Sequence, residues 1–168
     1  MLPVDGENMV QTSANAGDAM QVENRTERGR LLAIDMGAKR VGVAVSDELG
    51  ITVRPVTTIE RRSWKKLLQS IIEQIEVLEA RGLVLGLPLN LDGSEGPAAV
   101  EARQIAAKFE LSLKIPVYLQ DERLTSEEAK ARLQDIQTRE RGGDIDSAAA
   151  AIILQDFIDQ HSRSTDYD

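Results

Sequence analysis

Three carboxylates in this chain stand where carboxylates are hard to explain. Asp35 follows four apolar residues, 31–34, at the end of what reads as a buried strand. Glu122 comes shortly after a second apolar run, 115–119, and Asp146 falls in the first turn of the last helical stretch, on the side that continues as Ala149, Ala150 and Ile153. A bare carboxylate in such a place is costly unless something pairs with it. Hard divalent cations are suitable partners, because they take carboxylate oxygens. Three acids that converge would repel one another unless cations sat between them. Such a cluster suits a pair of Mg²⁺ or Mn²⁺ ions roughly 4 Å apart, stabilising the attacking and leaving oxygens of phosphodiester cleavage. Each acid also has an ordinary reading: Asp35 as a turn residue capping its own backbone, Glu122 as a surface acid, and Asp146 as a partner of the helix macrodipole, worth roughly 0.3–1 kcal/mol. Whether they converge depends on the elements that carry them.

The stretch LLAIDMGAKRVGVAVSD, from Leu31 to Asp47, reads as two buried strands joined by a tight turn at Met36–Arg40, where Gly37 allows an unusual backbone or a close approach. A third, short strand is expected over Ile51–Val56, marked as an edge or strand end by Pro55. Ser63 can cap a helix in which Trp64, Leu67, Leu68, Ile71, Ile72, Ile75 and Leu78 recur at helical spacing, with Gly82 as the expected stop. Leu83–Leu87 is too short and too apolar for anything but a strand buried on both faces. A loop over Pro88–Pro97 leads into an Ala-rich helix ending about Leu111, with Pro97 as its first residue, and Ile115–Leu119 forms a fifth strand. Thr125 and Glu128 make a capping box for a helix through Ile136, Thr138–Gly143 is a charged loop, and a final helix runs from Asp144–Asp146 to Ile158.

The resulting order, βββαβαβαα, predicts an α/β fold: a mixed five-stranded sheet in the order 3-2-1-4-5, with helices on both faces. Asp35 then lies at the carboxyl end of the central strand, where ligands gather in such sheets. Strand five is two strands away from strand one, roughly 9.5 Å, so Glu122 must reach across strand four. Asp92, in the Asp-Gly turn after strand four, is the nearer alternative.

Composition bounds the rest. A chain of 168 residues accommodates one domain, expected over residues 30–158, between a polar, disordered N-terminal tail (1–29) and a short C-terminal one (159–168). There is no cysteine, hence no disulfide framework and no thiolate nucleophile or metal site. No apolar run approaches the roughly 18 residues of a membrane helix, and residues 1–29 contain no apolar core of a signal peptide, so a cytoplasmic protein without membrane contact is expected. The net charge of −8 is concentrated at the ends: residues 31–155 carry 19 acids against 16 bases. Those bases cluster at Lys39–Arg40, at Arg61, Arg62, Lys65 and Lys66, and at Arg139 and Arg141, so a phosphate backbone remains a possible partner. His161, the one histidine, sits in an acidic tail and is expected to be solvated; no Ser-His-Asp or Cys-His constellation can be built.

Four blocks, LLAIDMGAKRVGVAVSD, LVLGLPLNLDGSEGP, VYLQDERLTSEEA and DIDSAAAAIILQ, together resemble the YqgF (RuvX) family of RNase H-like proteins, whose members are described as pre-16S rRNA nucleases or Holliday junction resolvase homologues. The resemblance spans about residues 30–158 and implies an RNase H-like fold, a metal-dependent endonuclease using Mg²⁺ or Mn²⁺, and a structured nucleic acid as substrate, pre-rRNA ahead of branched DNA. The family's acidic positions fall on Asp35, Glu122 and Asp146, with Asp35 bridging metal ions and the other two holding their outer sides. Lys39, Arg40, Arg123, Arg139 and Arg141 are the candidate phosphate contacts, although Arg123 has Asp121 as an alternative partner. Arg61, Arg62, Lys65 and Lys66 open a helix near the far sheet edge and are expected to matter little. A monomer or weak homodimer is expected. Readings from other classes are an actin-like nucleotide-binding ATPase, which shares the Asp-x-Gly hairpin but uses two such domains, and a non-catalytic RNA-binding assembly factor.

Overall fold

The computed structural model describes residues 29–124, 131, 135 and 145–163. The expected N-terminal tail, the capping box at Thr125–Glu128 and the Thr138–Gly143 loop with Arg139 and Arg141 lie outside these residues. Five strands form one sheet: β1 (Arg30–Met36), β2 (Arg40–Ser46), β3 (Val53–Glu60), β4 (Ala80–Leu87) and β5 (Val117–Asp121). Their order is β3-β2-β1-β4-β5, with β1–β2 and β2–β3 antiparallel and β1–β4 and β4–β5 parallel. This is the order that the sequence pattern predicts, with β1 central.

Alternation along β1 divides the core. Leu32 and Ile34, paired with Val45 and Val43, point to one face with Leu83 and Leu85. There they meet α1 (Trp64–Leu78) through Leu67 and Ile71, and α2 (Pro97–Ser112) through Ile105 and Phe109. Ala33 and Val84 point to the opposite face and meet Ile153, Leu154 and Phe157 of α3 (Ile145–Arg163). Helices therefore cover both faces. Close to β2, α3 presents Ala150 and Ala151 to Ala44; small side chains on both sides let the helix ride low over the sheet.

Several boundaries differ from the sequence pattern, each for a tertiary reason. β3 runs on to Glu60 because Thr57, Thr58 and Ile59 continue to pair with Val43, Gly42 and Val41. Pro55 does sit on an edge strand, at a register shift opposite Val43 and Ala44, where a missing N–H is tolerated. α1 stops at Leu78, not at Gly82: Glu79 takes the left-handed conformation at φ 53° and closes the helix. Gly82 is instead inside β4, and an added Cβ there would lie 2.7 Å from Leu31 Cδ2. α3 extends to Arg163, past Ile158. His161 belongs to that last turn and is not simply solvated: its ring stacks on Phe157 at 4.0 Å between centroids, and Nδ1 is 2.7 Å from the Phe157 carbonyl oxygen.

Candidate active site

Asp35 is the second-last residue of β1, so it shares the parity of Ala33 and faces α3. Its partner on β2 is Gly42. On the other side, the β1–β4 register ends at Ile34 beside Leu85, so the next step sets Gly86 next to Asp35. A glycine thus flanks Asp35 on either neighbouring strand, and each missing side chain is filled by one of the other two acids' residues. A Cβ on Gly42 would lie 1.8 Å from the backbone oxygen of Asp146. A Cβ on Gly86 would lie 2.1 Å from Oε1 of Glu122 and 2.8 Å from Ile153 Cδ1. The first turn of α3 therefore rests directly on β2. Glu122, which opens a 3₁₀ turn (Glu122–Leu124) after β5, crosses β4 over the bare backbone of Gly86. That passage answers the reach problem posed by the strand order.

The electrostatics record the crowding. Burial, then the charge of Asp146, raises the pKa of Asp35 above the usual carboxylate range. Burial pushes Glu122 up to about 7, with further repulsion from Asp35 and Asp121. Both shifts express disfavoured negative charge in a half-buried place. Asp146 has a cationic neighbour, the Arg40 guanidinium, with Nε 3.1 Å from Oδ2.

The remaining candidates separate clearly. Asp92 is exposed and spends its Oδ1 on the Ser94 N–H at 2.9 Å and the Ser94 hydroxyl at 2.6 Å; these bonds hold its pKa low. It is a turn residue within its own loop. Arg123 forks onto Asp121, with Nε 3.1 Å and Nη2 2.8 Å from Oδ2, and Nη1 reaches the Leu91 carbonyl at 3.4 Å. Its guanidinium lies 3.2 Å from where a Cβ on Gly93 (φ 88°) would be, so it ties the 3₁₀ turn to the loop after β4. Lys39 is exposed on the β1–β2 turn. That turn needs Gly37, whose Cβ would lie 2.6 Å from the Arg40 carbonyl oxygen. Arg139 and Arg141 are outside the described residues.

The expected placement of the second basic group beside a sheet edge holds, and the strand directions fix which end of the sheet it occupies. β3 ends at Glu60 beside Arg40, so Arg61, Arg62, Lys65 and Lys66 flank the edge strand but lie at the same end of the sheet as Asp35. Arg61 is bonded to the turn itself: its N–H donates to Lys39 O at 2.9 Å and its Nη1 to Gly37 O at 3.0 Å.

Among the described residues, no three acidic or histidine side chains stand close enough to cage a metal ion as they are. The donor set nevertheless fits a hard cation. It is all carboxylate oxygen, and two of its members carry pKa values raised by burial and by the charge of a neighbouring acid, a cost that a cation beside them would remove. Sequence reasoning missed Gly42 and reads Gly86, with Pro88, Gly93 and Gly96, as shaping the loop at this end of the sheet; only the register shows that the two glycines bracket Asp35.

Comparison with known proteins agrees with this architecture. The RuvX profile, described as Holliday junction resolvase, matches residues 29–160. A protein of Anaeromyxobacter sp. (strain K), named "Putative pre-16S rRNA nuclease", is 45% identical over 135 residues, 79% of this chain and 98% of that protein. A protein of the same name from Syntrophus aciditrophicus is 39% identical over 136 residues, covering 80% of this chain and 91% of the relative. Among solved structures, Thermus thermophilus RuvC in complex with a Holliday junction substrate superposes with a TM-score of 0.57 at 12% identity, covering 81% of this chain and 96% of RuvC. At that identity the likeness speaks for the fold, which is RNase H-like. On the strength of a match running through nearly all of the described domain, the chain belongs to the RuvX family.

Proposed function

We propose that this protein is a divalent-metal-dependent endonuclease that trims the 5′ end of pre-16S rRNA in the cytoplasm. The observation that carries the reading is the meeting of Asp35 and Glu122 over Gly86, at the carboxyl end of the central strand. There, two half-buried carboxylates come together, and the charge of Asp35 adds to the burial that disfavours ionisation of Glu122. Asp35, Glu122 and Asp146 would hold Mg²⁺ or Mn²⁺, whose chemistry is to activate water and to neutralise charge on the oxygens of the cleaved phosphodiester.

The chain's own residues prepare that site. Gly86 lets Glu122 lie against the sheet, and Gly42 lets α3 deliver Asp146 beside Asp35. Arg40 holds Oδ2 of Asp146 and so would compete with a cation for that oxygen. Arg123, fixed by Asp121, ties the loop after β4 to the turn that carries Glu122 through the Leu91 carbonyl.

RNA is favoured by the names of the relatives that cover nearly their whole length. A four-way DNA junction is the second reading, favoured by the description of the family. The test is direct. Purified protein with Mn²⁺ is given, separately, an RNA spanning the 16S 5′ precursor junction and a four-way DNA junction. Defined cleavage of the RNA, lost in Asp35→Asn, is the expected result. Cleavage of the DNA junction alone reassigns the substrate, and cleavage of neither by folded, Mn²⁺-loaded protein overturns the nuclease reading.

A further inference from the structure

The acids account for cutting but not for holding. A polyanion cannot be retained by a half-buried cluster of carboxylates, so its affinity has to come from bases beside the cluster. The described residues offer one concentrated set. Lys39 on the β1–β2 turn, Arg62 at the end of β3, and Lys65 and Lys66 in the first turn of α1 are all exposed. The four flank one joint at Arg61, whose N–H donates to Lys39 O and whose guanidinium Nη1 donates to Gly37 O. They thus form one continuous rim on the site's end of the sheet. Arg61 and Arg62 are answered by Glu101 and Glu60. Lys39, Lys65 and Lys66 have no ion-pair partner among the described residues.

Two features say that this charge does not serve the fold. Cations in a first helical turn oppose the macrodipole, and α1 has no acid there to offset Lys65 and Lys66. The helix start is already satisfied otherwise, by Ser63 accepting the Lys66 N–H at 3.3 Å. In the plane of the sheet, the rim begins at the turn following Asp35 and reaches the end of β3, two interstrand spacings or about 10 Å away; α1 covers the face opposite Asp35, so the rim passes round the β1–β2 turn from one face to the other. A nucleic acid with its scissile phosphate at the acids would cross this distance within a few nucleotides.

We infer that Lys39, Lys65 and Lys66, supported by Arg62, form a phosphate track that carries the nucleic-acid backbone from the acid cluster over the β1–β2 turn to the N-terminal end of α1. The inference rests on the nuclease reading for its substrate class and adds the direction in which that substrate runs. It also reverses the expectation that the Arg61–Lys66 group is a bystander.

The experiment compares the full-length protein with Lys65→Ala/Lys66→Ala, with the charge-preserving Lys65→Arg/Lys66→Arg, and with Arg81→Ala/Lys114→Ala. The last pair removes two exposed charges at the opposite end of the sheet, where β4 and β5 begin. Each binds the same structured RNA and the same four-way DNA junction, without divalent metal, over a range of salt. The expected result is weaker binding by the Lys65/Lys66 alanine pair on both ligands, with the slope of log K against log salt reduced by about 0.7–0.9 per lost contact. The arginine pair should bind as wild type does, and so should the Arg81/Lys114 pair. Wild-type affinity and slope in the Lys65/Lys66 alanine pair would overturn the track, as would an equal loss in the Arg81/Lys114 pair. The two readings fail separately: wild-type protein that binds through the rim but never cuts with Mn²⁺ removes the nuclease, whereas protein that cuts and ignores the rim substitutions removes the track.

Discussion

Gly86 and Glu122 occupy what would otherwise be the same space: a Cβ on Gly86 would stand 2.1 Å from Glu122 Oε1. The bare strand is therefore what permits an acid just past β5 to sit beside an acid from β1. The expected outcome for Gly86→Ala is a folded protein, destabilised by overpacking against Glu122 and Ile153 at a cost of about 1–3 kcal/mol. Its Mn²⁺ affinity should fall about 10–100-fold, as for other residues that orient metal ligands. Thermal unfolding and isothermal titration read the two effects independently; unchanged Mn²⁺ binding would mean that Glu122 is not a ligand.

Stability should depend on pH through Glu122. Its pKa in the folded protein is about 7, above the ordinary 4.5. Between those values the native state binds more protons than the unfolded one, so stability falls as pH rises. Metal-free protein should lose melting temperature from pH 4.5 to 7 by this contribution, and Glu122→Gln should flatten that part of the profile. Saturating Mg²⁺ should flatten it too, because the cation replaces the proton. A metal-free profile identical in wild type and Glu122→Gln would contradict the burial of this carboxyl.

Asp35→Asn keeps the shape of the side chain and removes its charge. Since burial and Asp146 both disfavour that charge, the metal-free variant should melt at or above the wild-type temperature near neutral pH. Metal-dependent cleavage should nevertheless be abolished. Differential scanning calorimetry with a cleavage assay checks both, and a clear drop in melting temperature would show that the Asp35 carboxylate stabilises the fold.

Arg40→Ala should have the opposite character. It removes the counter-charge from Asp146 while leaving Asp146 beside Asp35. The pair is partly exposed, so the loss of stability should be no more than about 1 kcal/mol. The increase in melting temperature on adding Mg²⁺ should become larger than in wild type, because Asp146 no longer has to leave a partner. A smaller increase would count against Asp146 as a ligand.

Glu79 provides a prediction away from the site. It adopts φ 53° to end α1, a conformation that costs a residue with a Cβ roughly 1–2 kcal/mol, while glycine adopts it freely but loses more chain entropy on folding. Glu79→Gly should therefore stabilise by about 0.5–1 kcal/mol, measured as a higher urea midpoint with an unchanged slope.

What could be read from the residues was what is local. Apolar alternation around Asp35, the 3.6-residue recurrence from Trp64 to Leu78 and the apolar run 83–87 are enough to order the sheet and to set Asp35 on its central strand. The Asp-Gly turn chemistry of Asp92 was equally legible. The places of Gly42 and Gly86 on either side of Asp35 were not, since only the register sets a strand glycine against its neighbour. The Arg40–Asp146 pair joins the first turn to the last helix, and no pattern within a short window signals such a contact. The same applies to Lys65 and Lys66, whose position relative to Asp35 depends on β3 continuing to Glu60 and so returning the chain to the site's end of the sheet.

α3 is the last described element of the chain, yet it lies against β1, β2 and β3, which are made first. During synthesis the hairpin and the parallel strands can form while Asp146 is still untranslated or within the exit tunnel. A nascent chain therefore presents Asp35 and Glu122 without the third acid, and with the face that α3 will cover still open. Contacts of such long sequence separation also form late for entropic reasons. The face of the sheet that carries Asp35 is thus closed only once residues 145–163 have been made, so the first turn of α3 is the last of the described residues to reach it.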